Sequence, residues 1–104
     1  MAIEEIDVDD LADRMDAGAS VLDVREPAEW AQSRVPGAVL VPLGELPARL
    51  GDVPPGDPVL VICRSGARSM RACEYLAANG REALNVAGGI LAWTASGRPV
   101  EHSA

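Results

Sequence analysis

Apolar residues come in two rhythms along this chain, and the rhythms alternate. Residues 59–62, Val-Leu-Val-Ile, are unbroken apolar, and residues 21–24 and 83–86 each carry one polar position. Runs of that length, rich in branched aliphatics, predict strands buried on both faces, as in a parallel sheet. Shorter strand candidates fall at residues 3–6 and, after a Pro36-Gly37 turn, at residues 39–41. Between the runs the spacing turns helical. Leu11 and Met15 recur one turn apart behind Asp7, which with Asp10 makes an acidic variant of a capping box, and Gly18 closes that helix. Glu26-Pro27 opens a short helix, with proline where its missing N–H costs nothing. Residues 43–50 predict a helix shortened by Pro47, and residues 51–58 read as a connecting loop. Residues 66–79 set Met70, Cys73, Leu76 and Ala77 on one face and Arg71 and Glu74 on the other, with Gly80 as cap. A last helix covers residues 89–96. The alternation predicts an α/β fold: a small open sheet of about five mostly parallel strands with helices on both faces.

Composition limits what such a fold does. With 104 residues the chain is expected to be a single domain, 1–104, able to fold without disulfides or metals. It is 48% hydrophobic but only 3% aromatic, so its core rests on Ala, Val, Leu and Ile. A net charge of −7 argues against nucleic acid and anionic membranes as partners. Two cysteines, Cys63 and Cys73, are too few for a disulfide framework, and a free thiol fits a reducing cytoplasm. The first residues lack the pattern of a signal peptide, and no run approaches the roughly 20 apolar residues of a membrane span. No metal-ligand cluster or cofactor fingerprint is present; Gly88-Gly89 lacks the full glycine spacing of a dinucleotide site.

The chemistry concentrates where the apolar run stops. Residues 59–69 read Val-Leu-Val-Ile-Cys-Arg-Ser-Gly-Ala-Arg-Ser, which sets Cys63 at the carboxyl end of a strand and before a helix amino terminus. Open α/β sheets put their ligands at that edge. Unpaired N–H groups and the helix dipole favour a thiolate there, and Arg64 and Arg68 add positive charge. The plainer alternative is a core cysteine that happens to end a strand. No histidine stands near as a base, since His102 lies in the last three residues, so the site reads as an anion cradle rather than a Cys–His dyad.

Cys63-Arg64-Ser65-Gly66-Ala67-Arg68 resembles the six-residue active-site loop of the rhodanese, or sulfurtransferase, domains. Leu22-Asp23-Val24-Arg25-Glu26-Pro27-Ala28-Glu29-Trp30 is similar to that family's DVR-E-x-x-E-aromatic segment, and Val35-Pro36-Gly37-Ala38-Val39 to its PGA turn. Asn85-Val86-Ala87-Gly88-Gly89-Ile90-Leu91-Ala92-Trp93, followed by Gly97-Arg98-Pro99-Val100, resembles its C-terminal element. The match runs from about Ile3 to Val100. One departure is Arg34, where members often carry histidine; it reads as a surface variation. The resemblance implies the same α/β architecture. It also implies a sulfurtransferase that moves a sulfane sulfur from thiosulfate or a persulfide to cyanide or a thiol through a persulfide on Cys63. The residues expected around a small anionic donor are Arg64, Ser65, Gly66, Ala67 and Arg68, with no cofactor, and a sulfur-accepting partner protein is a further candidate.

Each side chain also has a structural reading. Arg68 could brace the loop instead of meeting substrate, Ser65 could cap the helix, and Ser69 could either donate to the site or cap. Asp23 and Arg25 are expected near Cys63 at the sheet edge, as framework: Arg25 pairs with Glu29 one turn on, and Asp23 fixes a neighbouring loop. Cys73 reads as a core residue, and Trp30 and Trp93 as packing residues, with Trp30 a candidate for the pocket rim. Three other functions compete. A Cys-x5-Arg phosphatase or arsenate reductase uses similar parts, but here only four residues separate Cys63 from Arg68. A non-catalytic interaction module would usually have lost the cysteine. A persulfide carrier for a partner protein uses the same thiol.

Overall fold

The longest apolar run becomes a central strand. The computed structural model describes residues 2–103. In chain order the elements are β1 (Glu5–Ile6), α1 (Val8–Asp16), β2 (Val21–Asp23), α2 (Pro27–Gln32) and β3 (Val39–Leu40). A 3-10 segment (Leu43–Asp52) follows, then β4 (Val59–Ile62), α3 (Ala67–Ala78), β5 (Ala83–Val86) and α4 (Gly89–Ala95). The five strands form one sheet, all pairs parallel, in the order β1-β5-β4-β2-β3.

Side chains of β4 alternate between two cores, as the period of a strand requires. Val59, Val61 and Cys63 pack with Leu22 and Val24 under α3 and the 3-10 segment, against Ala72, Cys73, Leu76 and Leu46. Leu60 and Ile62 face the other way with Val21 and Val86, against Leu11 of α1 and Ile90 and Trp93 of α4. Every residue of β4 is buried, at about 1.5–3 kcal/mol for each large aliphatic side chain. Aliphatic residues thus fill both cores almost without aromatic help, as the composition requires. Among the described residues no helix is long and apolar enough to cross a membrane.

The chain leaves β2 toward β3 on one side and β4 toward β5 on the other. The strand order therefore reverses between β2 and β4, where open α/β sheets leave a crevice at their carboxyl edge. The Cys63 loop leaves β4 at that edge.

Three local expectations change. Residues 43–52 wind as a 3-10 segment, because Pro47 has no N–H to donate and Arg49 leaves helical geometry (φ −126°, ψ 30°). Helix α3 begins one residue later than predicted, at Ala67, and its N-cap is Gly66 rather than Ser65. Arg34 is not a surface variation. Its guanidinium lies 4.9 Å from the Trp30 ring centre, and Nη1 donates to the Trp30 carbonyl (3.1 Å) and to Ser103 Oγ (3.2 Å). An antiparallel bridge from Arg34 to Glu101 adds to this and ties the C-terminal residues to α2.

Candidate active site

Cys63 is the first residue past β4, and it is 1% exposed. The loop after it turns back over the sulfur because Gly66 adopts a left-handed conformation (φ 113°), which glycine takes without steric cost. That turn aims the Gly66 N–H at Cys63 Sγ, 3.1 Å away. One helical turn on, the buried Ser69 places its hydroxyl 3.3 Å from the same sulfur. The N–H groups of Ser65 and Ser69 also converge on it. The result is a nest of donors at a helix amino terminus. Burial works against ionisation of Cys63 and is the largest single influence. The Ser69 hydroxyl and the backbone donors of Ser69, Gly66 and Ser65 together outweigh it and hold the thiol below its ordinary value.

The loop is also held from outside. The N–H groups of Ile90 and Leu91, in the first turn of α4, donate to the Cys63 carbonyl (2.9 Å) and the Arg64 carbonyl (3.2 Å). Gly89 makes this approach feasible, since a Cβ there would overlap both carbonyl oxygens. Gly89 therefore serves close contact between α4 and the loop, whereas a Cβ on Gly88 would meet Ala92 of α4 itself, and the motif alone revealed neither role.

The two loop arginines part company. Arg68 forms a bidentate ion pair with Glu29 of α2, at 2.7 and 2.8 Å. The Arg68 guanidinium holds the Glu29 carboxyl down at about 2, despite partial burial. Arg68 thus acts as the brace, and its charge is largely neutralised. Arg64 is exposed and has no ion-pair partner among the described residues. Ser65 and Ala67 are exposed on the loop and the first turn. The expected Arg25–Glu29 ion pair does not form. Arg25 instead turns back on Asp23, with Nη2 to Oδ2 at 2.8 Å, and both residues are buried. Glu29 is already taken by Arg68, so Arg25 reaches only its backbone carbonyl (3.4 Å) and that of Ser33 (2.7 Å). The Asp23–Arg25 pair is framework that fixes α2 beside the loop.

Between α2 and α4 lies a groove of about 490 Å³ next to the loop, lined in part by Glu29, Ser33, Arg64, Leu91 and Thr94. Trp30 is not among its lining residues and stacks on Arg34 instead. Trp93 is buried as expected, and its indole N–H donates to the Pro99 carbonyl (2.8 Å).

This sheet order and this loop are those of a known class. Residues 7–96 match the model of the rhodanese-like domain. A sulfurtransferase of Allochromatium vinosum is 42% identical over 101 residues, 94% of each chain. The putative sulfurtransferase YtwF of Bacillus subtilis is 36% identical, covering 95% of this chain and 98% of that one. A crystal structure of a rhodanese-like domain protein from Staphylococcus aureus superposes with a TM-score of 0.86 at 31% identity, over 98% of this chain and 100% of that one. The chain belongs to the rhodanese-like domain family. Its relatives support sulfur transfer of the rhodanese type.

Proposed function

We propose that the protein transfers a sulfane sulfur through a persulfide on Cys63, with thiosulfate or a persulfide as donor and cyanide or a thiol as acceptor. The observation that carries this reading is the pair of donors on Cys63 Sγ, from Gly66 at 3.1 Å and Ser69 at 3.3 Å. Such donors stabilise a thiolate before the reaction and a persulfide anion after it. The thiolate attacks the outer sulfur of thiosulfate, the sulfur–sulfur bond breaks, and sulfite leaves with the electron pair. No proton is needed on the leaving group, consistent with a site built without a histidine near the thiol. The outer sulfur then stands about 2 Å beyond Sγ, nearer the surface. Cyanide takes it as thiocyanate, or a thiol takes it as a new persulfide, and the Cys63 thiolate returns.

Arg64 is the cation that meets the incoming anion in this scheme. Ser65, Gly66 and Ala67 contribute through the loop backbone, and Arg68 acts by bracing. Engagement of Arg68 by Glu29 also favours sulfur over a tetrahedral oxyanion, because the guanidinium that would clamp oxygens is already occupied. The test is intact-mass spectrometry of the reduced protein after exposure to thiosulfate. The proposal expects a gain of one sulfur on Cys63 that cyanide or a thiol removes. Hydrolysis of an aryl phosphate with no sulfur gained from thiosulfate or persulfides would contradict it.

A further inference from the structure

Ser69 has one hydroxyl hydrogen and two acceptors within reach. Cys63 Sγ lies 3.3 Å from its oxygen, and the Gly66 carbonyl 3.2 Å. The hydrogen serves only one of them at a time. The Gly66 carbonyl, however, has other donors. The Met70 N–H reaches it at 3.1 Å as part of α3, and Asn85 Nδ2 reaches it at 3.1 Å from β5. A carbonyl oxygen has two lone pairs, and these two N–H groups occupy them.

Asn85 is an unusual residue for its place. It is 1% exposed in a strand whose other three residues are apolar. Its Nδ2 also donates to Glu5 Oε2 of β1 at 2.8 Å, while its Oδ1 is buried without a partner. Both neighbours of the nitrogen are oxygens, so the amide orientation is determined; the reversed amide would set oxygen against oxygen. The residue thus leaves one acceptor unsatisfied while placing two donors.

We infer that Asn85 is a positioning residue for the nucleophile: by saturating the Gly66 carbonyl it commits the Ser69 hydroxyl hydrogen to the Cys63 sulfur. Among the described residues it is the one donor to that carbonyl from outside α3. The inference concerns the thiol itself and stands whether or not sulfur is transferred. The charged and titratable groups around the thiol are Arg64 in the loop, Arg68 on α3 with its partner Glu29 on α2, Asp23 at the end of β2 with Arg25 just past it, Glu5 on β1, and the Cys73 thiol on α3, which burial keeps neutral. Neutral replacement of Asn85 changes none of these charges, and Glu5 loses only a neutral donor.

The test is the pH dependence of Cys63 alkylation by iodoacetamide, read by peptide mass spectrometry. Wild type is compared with Asn85→Leu, Ser69→Ala and the double variant, and circular dichroism reports the fold. Asn85→Ala serves as a second replacement that requires no added bulk. Loss of the commitment is expected to raise the Cys63 midpoint by about half a pH unit in Asn85→Leu. In the Ser69→Ala background the same replacement should add nothing, because the hydrogen it directs is gone. An unchanged midpoint in the folded Asn85 variants would overturn the inference. So would a shift of equal size in the Ser69→Ala background.

Discussion

Cys63 and Cys73 sit in the same core cluster, at 1% and 0% exposure, yet their thiols are pushed in opposite directions. Burial raises Cys73 to about 12, with the nearby charge of Glu74 acting in the same direction. Burial is also the largest influence on Cys63, and there it is outweighed. The difference lies in the backbone around each sulfur. Cys73 is in the middle of α3, where N–H groups are spent on the helix ladder. Cys63 lies before the same helix, where the first N–H groups have no intrahelical partner and Gly66 folds them over the sulfur. One helix thus makes one thiol inert and the other ionisable.

The largest contrast is expected from replacing each cysteine. Cys63→Ser should abolish sulfur uptake in a folded protein, since a hydroxyl does not ionise at neutral pH or accept sulfane sulfur. Cys73→Ser should keep uptake and lose about 1–2 kcal/mol of stability from burying a hydroxyl. Mass spectrometry and urea denaturation on both variants check this pair. Equal loss of uptake in two folded variants would break the comparison and indicate a two-cysteine mechanism.

Gly89→Ala comes next. Its Cβ would collide with the Cys63 and Arg64 carbonyls, so α4 must move and release the loop. Alkylation of Cys63 near pH 7 should then slow several-fold, with a stability cost on the order of 2 kcal/mol. A variant with wild-type alkylation and melting would mean that the α4 contact does not shape the site.

Ser69→Ala sharpens the comparison by removing one donor and little volume. The Cys63 midpoint should rise by about one pH unit while Cys73 stays unreactive. The smallest effect concerns the Arg68–Glu29 brace. Glu29 titrates lower folded, at about 2, than its usual 4.5, so its contribution is present above pH 4.5 and is lost as pH falls toward 2. About a third of each side chain is exposed, which reduces the expected loss to about 1 kcal/mol. Glu29→Gln should therefore flatten that part of the stability–pH curve. An unchanged acid limb in urea denaturation would remove the brace from the account.

Much of this was legible in the chain itself. β4 and β5 lie where their apolar runs predicted, because buried parallel strands need near-continuous aliphatic side chains. The place of Cys63, between a strand end and a helix start, followed from the same pattern. Partners were less legible. Arg25 and Glu29 stand one turn apart and read as a pair, but the true partner of Glu29 is 39 residues away on α3. Only the packing of α2 against the loop brings them together. Asn85 appeared in sequence as one polar position inside an apolar run and as the start of the C-terminal element, with no role at the site, and its bond to Gly66 spans 19 residues. The backbone donors on the sulfur were legible in the helix start behind Cys63, and Ser69 was already a candidate donor. The added positive charge was not legible for a related reason, since one of the two loop arginines is neutralised by Glu29.

The most direct test of that conclusion is a pH titration of both thiols in one sample of native protein. Iodoacetamide alkylation, mapped by peptide mass spectrometry from pH 5 to 10, gives a separate rate for each cysteine. The account predicts that Cys63 reacts with a midpoint below that of an ordinary thiol, and that Cys73 stays unmodified until the protein is denatured. A Cys63 midpoint at or above the ordinary value, or Cys73 alkylated at a similar rate in the native state, would contradict it.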